Sequence, residues 1–387
     1  MLSMTTIKSF AYIQNQTPQI EDSITISLLT CSPGNEVYTM YGHTAIRYTD
    51  KSNGTDIAVN YGIFSFKQPY FILRFIFGLT DYEMGIIPFD LFCNEYESEG
   101  RTVTEQVLNL TAEEKVAITQ AIERNYMPEN RVYRYNYFYD NCTTRARDIL
   151  LNNLNGSIQY TENQDVYPSF RSLTHKFNEE SPWARFGNDL LLGVKSDRST
   201  NRSEYQFLPL NLEDDFNKAT ITDKNGEKRQ LIKDTFIVVN AQKQKAEKGF
   251  PLRPSTCAWV ILIITVCVTG SELIAKKTFW GFDLSLMIII GTMGILPFIM
   301  LFSQLPTTNT NLQTIILNPL PLIFAYHTAS KAHKKKKCSF WLYASITIIL
   351  FFIAGFFQHY AEGMYILALS LLMRCICRLA YQKKYDK

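Results

Sequence analysis

The distribution of apolar residues divides the chain into two parts. Up to residue 254, short apolar stretches alternate with polar and charged positions, whereas long apolar runs dominate from Ser255 onward. A helix that crosses ~30 Å of hydrocarbon at ~1.5 Å per residue needs about 20 apolar residues. Five runs approach this length: Ser255–Ile274, Phe279–Ser303, Leu312–Ala329, Ser339–Phe357 and Ala361–Cys377. The pattern predicts a domain over residues 24–250 and a membrane domain of about five transmembrane helices over residues 251–387.

Prolines interrupt two of these runs. Pro297 lies inside the second run and predicts a kink there. The third run contains Asn318, Pro319 and Pro321, which favours a broken or re-entrant helix.

Basic residues in the short loops predict the orientation of the membrane domain. Twelve lysines and arginines follow the first, third and fifth runs, whereas the alternate loops 304–311 and 358–360 contain none. This asymmetry predicts a cytoplasmic C-terminus and, with five spans, a domain 24–250 outside the cytoplasm. Such a domain is expected to follow a signal peptide, but Met1–Ile20 lacks the apolar segment of about 7–15 residues. We therefore expect that a signal peptide is either absent from residues 1–23 or truncated there.

The first 250 residues have an α+β pattern. Alternating and apolar stretches predict strands, Asn-Gly pairs predict tight hairpins, and a Thr-x-x-Glu pattern predicts a helix start. The predicted elements are a strand Ile24–Leu29, a hairpin of Tyr38–Tyr48 and Asp56–Phe66, a helix Thr111–Asn125, a strand Tyr133–Tyr139, a helix Cys142–Asn153 and a hairpin around Asn225-Gly226.

Composition and charge exclude several classes of protein. With 39 basic and 36 acidic residues, the net charge of +3 argues against a strongly basic nucleic-acid binder, and no nucleic-acid partner is expected. Three of the eight cysteines precede residue 250, so at least one of those three stays unpaired. Neither a CxxC nor an HExxH spacing occurs, so neither a metal site nor a cofactor is expected.

Cys142 and His43 are the candidates for chemistry. Cys142 stands in YDNCTTRARDIL, where Asn141 is expected to cap a helix and Cys142 to occupy its first turn. The helix terminus stabilises a thiolate there, and backbone amides at the helix start are expected to bind an oxyanion. His43, on a predicted strand, supplies a base, and Asn60 or Tyr41 is expected to orient its imidazole. A buried structural cysteine is the alternative.

The segment Pro69–Ile87 is strongly apolar, although Arg74, Asp81 and Glu83 interrupt it. A groove for an acyl chain or a helix that dips into the membrane has this character. An ordinary core helix is the competing interpretation.

Several motifs together resemble one family. His before Cys reverses the order in papain and resembles the circularly permuted papain-like (NlpC-like) superfamily, which includes lecithin:retinol acyltransferase. The segments CSPGNEVYTMYGHTAIRY, NYGIFSF, RFIFGLTDYEMG, PENRVYRYNYFYDNCTTRARD and FGNDLLLG resemble the Lnb-type lipoprotein N-acyltransferases of Bacteroidetes over roughly residues 24–330. One departure is that the loop SQLPTTNTN has no histidine where this family leads us to expect one.

The resemblance implies a phospholipid acyl donor, a diacylated apolipoprotein acceptor, and a place in the inner membrane with the catalytic domain in the periplasm. It implies that Cys142 is the nucleophile and His43 the general base. The candidate substrate-binding residues are Arg145, Asn141, Arg74 and Asp189. A surface salt bridge is an equal alternative for Arg145, and a structural hydrogen bond for Asp189. Two other functions remain open, namely a cell-wall Cys peptidase or amidase and a non-catalytic lipid or lipoprotein carrier.

Overall fold

The computed structural model describes residues 23–36, 38–65, 69–161, 166–241 and 249–383. The signal-peptide expectation for residues 1–23 therefore lies almost entirely outside the described residues. The chain forms two compact units. The sheet unit comprises the described residues within 1–72, 79–168 and 199–247, and the helical unit those within 73–78, 169–198 and 248–387.

The N-terminal region contains the strands and several short helices. Its elements in chain order are β1 (Ile24–Cys31), β2 (His43–Asp50), β3 (Thr55–Ile63), α1 (Phe71–Ile76), β4 (Asp81–Pro88), α2 (Phe89–Ser98), β5 (Val103–Leu108), α3 (Ala112–Tyr126), β6 (Val132–Arg134), α4 (Cys142–Leu151), β7 (Ser157–Tyr160), α5 (Phe170–His175), α6 (Pro182–Leu191), α7 (Arg202–Tyr205), α8 (Pro209–Lys218), β8 (Ala219–Thr222), β9 (Lys228–Gln230) and β10 (Ile232–Val239). This is a mixed α/β architecture.

A seven-stranded antiparallel sheet forms the centre of the sheet unit, in the order β10-β5-β1-β2-β3-β4-β6, and β7-β8-β9 form a second sheet. The main core lies where buried residues of β1–β4 meet those of α3, α4 and α8, with Leu28, Ile46, Ile118 and Leu150 fully buried. The helix α4 packs against β2 and β3. The central strands and α4 therefore form one rigid frame for the residues at their ends.

Most of the elements predicted for this region are confirmed. The first strand, both hairpins and the helices α3 and α4 form at the predicted places. Thr111 caps α3 through a reciprocal pair of hydrogen bonds with Glu114, as the Thr-x-x-Glu pattern predicts.

Three predictions for this region are wrong in extent. The first strand of the first hairpin begins at His43 and not at Tyr38. The strand predicted over Tyr133–Tyr139 stops at Arg134, because the Asn136 side chain accepts hydrogen bonds from the amides of Phe138 and Tyr139 and turns the chain. The apolar segment 69–87 is not one element, because it divides into the six-residue helix α1 and the strand β4.

The C-terminal region is helical, with α9 (Pro254–Ala275), α10 (Trp280–Met293), α11 (Ile295–Met300), α12 (Leu320–His333), α13 (Phe340–Ala354) and α14 (Met364–Gln382). Within the described ranges, three segments are long and apolar enough to cross a membrane: Pro254–Ala275, Trp280–Met300 and Met364–Gln382. The helix α13 is apolar but shorter. The structure therefore contains three strongly apolar helices of membrane length, and the expected count of five spans is not confirmed.

The third apolar run is broken, as Asn318 and Pro319 led us to expect. It begins as a 3-10 turn at Leu312–Ile315, and its α-helix starts only at Leu320. A Cβ atom on Gly294 would lie 2.3 Å from the backbone nitrogen of Asn318, so only glycine permits this close approach of the second and third runs.

Residues 169–198 belong to the helical unit because of their hydrogen bonds. Gln313 Nε2 donates to the Asp189 carbonyl at 2.8 Å, Gln358 Nε2 donates to the Leu192 carbonyl at 2.9 Å, and Trp183 Nε1 donates to the Leu252 carbonyl at 2.7 Å. Side-chain amides and an indole thus tie α6 and its flanks to the ends of the C-terminal helices.

A buried ion-pair network connects α9, α10 and α14. Arg374 and Arg378 each contact both Glu272 and Asp283, and all four side chains are buried. The sequence pattern predicts Arg374 and Arg378 in a loop after the fifth run, but both lie inside α14 and are neutralised there. Charges inside a membrane domain are stable only when they are paired in this way.

We expect Arg374→Met to destabilise the protein by about 3–5 kcal/mol, because the substitution leaves Glu272 and Asp283 with one cation between them. The double variant Asp283→Leu with Arg374→Met restores neutrality and is expected to unfold at a higher temperature than Arg374→Met alone. Thermal unfolding in detergent measures both, with Lys277→Met at an exposed position as the control. Equal midpoints for all variants would show that the network does not stabilise the helices.

Candidate active site

Cys142 lies in the first turn of α4, where a cap fixes the start of the helix. Asn141 Oδ1 accepts hydrogen bonds from the amides of Thr143 and Thr144 at 2.9 Å each, and Thr144 Oγ1 accepts one from the Asn141 amide at 2.9 Å. Asn141 Nδ2 also donates to the carbonyls of Tyr137 and Phe207 at 2.9 Å. Its polar side-chain atoms are therefore engaged within the protein, where they hold Cys142 at the positive end of the helix.

His43 is the first residue of β2, and Asn60 orients it from β3. Ala45 pairs with Asn60 across the two strands, so His43, two residues earlier, is a diagonal neighbour of Asn60 on the same face. His43 Nε2 and Asn60 Oδ1 are 3.1 Å apart. Because an amide oxygen only accepts, Nε2 donates this bond, and Nδ1 is the nitrogen left to exchange a proton with Cys142. The imidazole also lies near enough to the Cys142 thiol for each group to shift the pKa of the other.

The electrostatic environment favours a thiolate at Cys142. Burial by itself would raise the pKa of this thiol, but the charge and hydrogen bond of His43, with hydrogen bonds from the Thr44 backbone and the Thr143 hydroxyl, lower it to about 7. Burial likewise opposes the charged form of His43, yet the neighbouring Cys142 and the hydrogen bond to Asn60 raise the pKa of the imidazole. The two groups therefore stabilise each other as an ion pair.

The other two cysteines of the sheet unit have the opposite character. Cys31 is fully buried, and burial raises its pKa strongly despite the nearby Arg101. Burial also raises the pKa of Cys93. All three thiols are free. Within the sheet unit, only Cys142 combines a lowered pKa with an adjacent imidazole.

Three neighbours of this pair carry no signal in the sequence. Thr44 Oγ1 and Thr143 Oγ1 are 3.0 Å apart in a buried contact that joins β2 to the first turn of α4. The ring of Tyr96 lies nearly parallel to the His43 ring, with 6.4 Å between centroids and 13° between planes. These contacts fix the imidazole and the helix start relative to each other, and they depend on tertiary packing alone.

The remaining candidate residues have other surroundings. The Tyr41 ring packs edge-on against Tyr137 with 5.2 Å between centroids. Arg145 Nε and Nη2 donate to Asp140 at 2.6 and 2.7 Å, so its charge is neutralised beside the site. Arg74 lies in α1 within the helical unit. Asp189, also in the helical unit, pairs with Arg171 and His175 at 2.8 Å each.

A small open space adjoins Cys142 at a bulge of β3. Gly62 has a φ of +88°, which favours glycine, and the pairing of β3 with β4 shifts register between Asn60 and Ile63. A Cβ placed on Gly62 would lie 3.9 Å from Cys142 Cβ and 4.0 Å from Tyr82 Cδ2. The missing side chain therefore leaves a gap of about one methyl group beside Cys142.

An aromatic wall leads away from this space. It consists of Tyr135, Tyr82, Phe64 and Phe71, whose neighbouring ring centroids are 4.1, 4.8 and 5.6 Å apart, with planes within 20° of parallel. Cys142 packs against the same apolar core. The strand β4 contributes Tyr82 to this wall, and the start of α1 contributes Phe71.

We expect Cys142 to be alkylated by iodoacetamide with a midpoint near pH 7, because its pKa of about 7 makes the thiolate available above that pH. His43→Gln removes the charge that lowers this pKa while burial remains. The midpoint is then expected to rise above the ordinary value of about 8.5, and the rate at pH 7 to fall at least about tenfold. His175→Gln, at the other histidine before residue 250, is the control. An unchanged pH profile in His43→Gln would contradict the ion pair.

Comparison with known protein families accounts for most of the chain. Residues 15–176 match the model of the Lnb N-terminal periplasmic domain, and residues 245–385 match that of the Lnb transmembrane domain. The match extends beyond the motif resemblance at both ends and leaves residues 177–244 uncovered. No curated protein and no solved structure matches the chain. The chain belongs to the Lnb family and is a multi-pass membrane protein with a periplasmic N-terminal domain.

Proposed function

We propose that the protein is a lipoprotein N-acyltransferase. It moves an acyl chain from a phospholipid, through a thioester on Cys142, to the α-amine of the N-terminal diacylglyceryl-cysteine of an apolipoprotein. The observation that carries this proposal is the position of Cys142 at a helix start beside His43, which is hydrogen-bonded to Asn60, in a chain of the Lnb family. A thiol, an imidazole and an amide side chain together are also the basis for inferring a papain-like active site. Because His43 precedes Cys142 in the chain, we infer the circularly permuted form of that site.

The first half-reaction forms the thioester. The Cys142 thiolate attacks the carbonyl carbon of a phospholipid ester, and the electron pair of the C=O bond moves to oxygen. When the tetrahedral intermediate collapses, the ester C–O bond breaks and the His43 imidazolium donates its proton to the leaving lysophospholipid oxygen. Asn60 keeps the imidazole in the orientation that this transfer requires, through its bond to Nε2.

The second half-reaction transfers the chain to the acceptor. The neutral α-amine of the lipoprotein attacks the thioester carbon, and His43, now neutral, takes a proton from the attacking nitrogen. The C–S bond breaks, an amide forms, and the Cys142 thiolate returns beside the His43 imidazolium. The stabilised thiolate makes Cys142 a good leaving group in this step as well as a nucleophile in the first.

The aromatic wall supports a substrate with fatty chains. A cell-wall peptide is polar and gains little from aromatic rings beside the nucleophile, whereas an acyl chain buries apolar area against the partly exposed Phe64 and Tyr135. Tyr82 and Phe71 are already buried and support these two rings from the core. The wall starts at the open space next to Cys142, where the ester of such a lipid has to lie. We therefore assign this surface to the acyl chain.

The apolar residues of α1 support access from the membrane. Ile72 is 71% exposed and Phe75 is 46% exposed, although both are large and apolar. Within the helical unit, the Phe77 carbonyl that follows α1 accepts a hydrogen bond from the Gln304 amide at 2.9 Å, and Gln304 follows the membrane-length segment Trp280–Met300. A short helix with bare apolar side chains beside the end of a span is suited to the membrane interface.

The orientation of the protein follows from the same proposal. We place the protein in the inner membrane with Cys142 in the periplasm and the C-terminus in the cytoplasm. The loop basic residues at Lys276, Lys277 and 334–337 support this orientation, and it does not depend on Arg374 and Arg378. The lipid donor and the lipid-anchored acceptor then meet the nucleophile on one side of the membrane.

Purified protein given phospholipid without acceptor is expected to gain the mass of one acyl chain on Cys142, because the second half-reaction has no amine. Neutral hydroxylamine releases a thioester and is expected to remove this mass. Cys142→Ala should abolish the adduct, whereas Cys31→Ser and Cys93→Ser should retain it. Intact-protein mass spectrometry measures the wild-type protein and the three variants, and a full adduct on Cys142→Ala would contradict the mechanism.

The same preparation separates the alternative functions. A diacylated lipopeptide with a free α-amine should discharge the adduct, and one with a blocked amine should leave it in place. Cleavage of a cell-wall peptide with no acyl adduct would establish a peptidase. Binding of phospholipid that is unchanged in Cys142→Ser, with no covalent product, would establish a carrier.

The proposed orientation is tested by labelling introduced cysteines with a membrane-impermeant maleimide in spheroplasts, in a Cys142→Ala background. Gln304→Cys is expected to react in intact spheroplasts, because loop 304–311 faces the periplasm. Lys336→Cys is the matched control and should react only after permeabilisation, and a fluorescent protein fused after Lys387 should be active in the cytoplasm. The reverse labelling pattern would place Cys142 on the side away from exported lipoproteins.

A further inference from the structure

Tyr133 presents a buried hydroxyl group beside the candidate nucleophile. Its side chain is 6% exposed, and Tyr133 Oη has no hydrogen-bond partner among the described residues. An unsatisfied hydroxyl in the protein interior is costly, and a catalytic role is one of the reasons for which a folded protein keeps one.

The hydroxyl borders the space in front of Cys142. The position that a Cβ on Gly62 would occupy lies 3.9 Å from Tyr133 Oη and 3.9 Å from Cys142 Cβ. Any atom placed in this space is therefore close to both the thiol-bearing carbon and the phenol. The bulge at Gly62 keeps the space open, since the backbone turns there without a side chain.

The start of α4 supplies fewer oxyanion donors than the sequence predicts. The amides of Thr143 and Thr144 both donate to Asn141 Oδ1, so the cap occupies them. The amide of Cys142 lies outside this cap. A tetrahedral intermediate of acyl transfer is usually held by two hydrogen-bond donors. The Cys142 amide supplies one of them, so the second donor has to come from another element.

We propose that the Tyr133 hydroxyl is this second donor, which makes Tyr133 a catalytic residue; the inference rests on the proposed acyl transfer. As the Cys142 Sγ–C bond forms, the C=O electron pair becomes an alkoxide oxygen, and Tyr133 Oη donates a hydrogen bond to it without losing its proton. When the intermediate collapses, the C=O bond re-forms, the leaving group departs with the proton of His43, and the phenol is unchanged.

The surroundings of the ring fit a neutral, well-oriented donor. The Arg145 guanidinium lies 3.7 Å from the centroid of the Tyr133 ring, and Asp140 anchors that guanidinium through two hydrogen bonds. The Tyr61 ring contacts Tyr133 edge-on at 6.5 Å. A cation on the ring face withdraws electron density from the phenol, which strengthens its O–H as a donor. The assignment also gives Arg145 a place at the site that requires no free charge.

The test is Tyr133→Phe in the full-length protein, which keeps the ring and removes only the hydroxyl. Burst-phase acylation by p-nitrophenyl octanoate is expected to slow by about 10²-fold, as for loss of one oxyanion donor. Alkylation of Cys142 by iodoacetamide forms no oxyanion, so its rate should stay within about twofold of wild type. Tyr48→Phe, which removes another buried tyrosine hydroxyl, is the matched control and should leave both rates unchanged.

Two results would overturn the inference. Acylation of Tyr133→Phe at the wild-type rate would show that the hydroxyl is not used. An equal loss of acylation and alkylation would show that Tyr133 acts only on the structure or the ionisation of Cys142. Because p-nitrophenyl octanoate reports on the thiol alone, wild-type protein that reacts with it but forms no thioester from phospholipid would contradict the proposed function and leave the role of Tyr133 intact.

Discussion

The cap that Asn141 places on α4 is the interaction on which the candidate site depends. It fixes the residue at which the helix begins, and therefore which side chain lies at the positive end of the helix. The Thr44–Thr143 hydrogen bond then joins that helix start to β2, the strand that begins with His43. A shift of one residue in the cap would move Cys142 by about 100° around the helix and out of reach of the imidazole.

Cys31 and Cys142 show how the balance between burial and charge decides the chemistry of a thiol. Both lie in an apolar environment, which opposes ionisation. Cys31 is enclosed in the sheet next to the phenol of Tyr96, and its thiol remains protonated. Cys142 has an imidazole that becomes charged with it, so the two charges compensate each other's loss of water. The imidazole partner therefore determines which thiol ionises, because Cys31 and Cys142 both lie in an apolar environment.

The same principle operates in the helical unit with a different outcome. Two arginines and two carboxylates are buried there in a closed, neutral network, and each charge has partners on other helices. The Cys142–His43 pair, by contrast, faces an open space at Gly62 and an aromatic surface. A compensated charge that is fully enclosed stabilises a fold, and one that borders a vacant space is available for reaction.

The sequence by itself determined the membrane-length apolar runs, the break at Asn318–Pro319, the hairpins and the two helix caps. These features follow from local hydropathy, turn chemistry and capping, which act over a few residues. The tertiary structure decided between Asn60 and Tyr41 as the partner of His43, because that choice depends on strand register. The tertiary structure also brings the rings of the aromatic wall together and buries Arg374 and Arg378. It leaves the Tyr133 hydroxyl without a hydrogen-bond partner among the described residues. Each of these joins residues that are distant in the chain, so only packing in three dimensions determines which side chains meet and which remain without a partner.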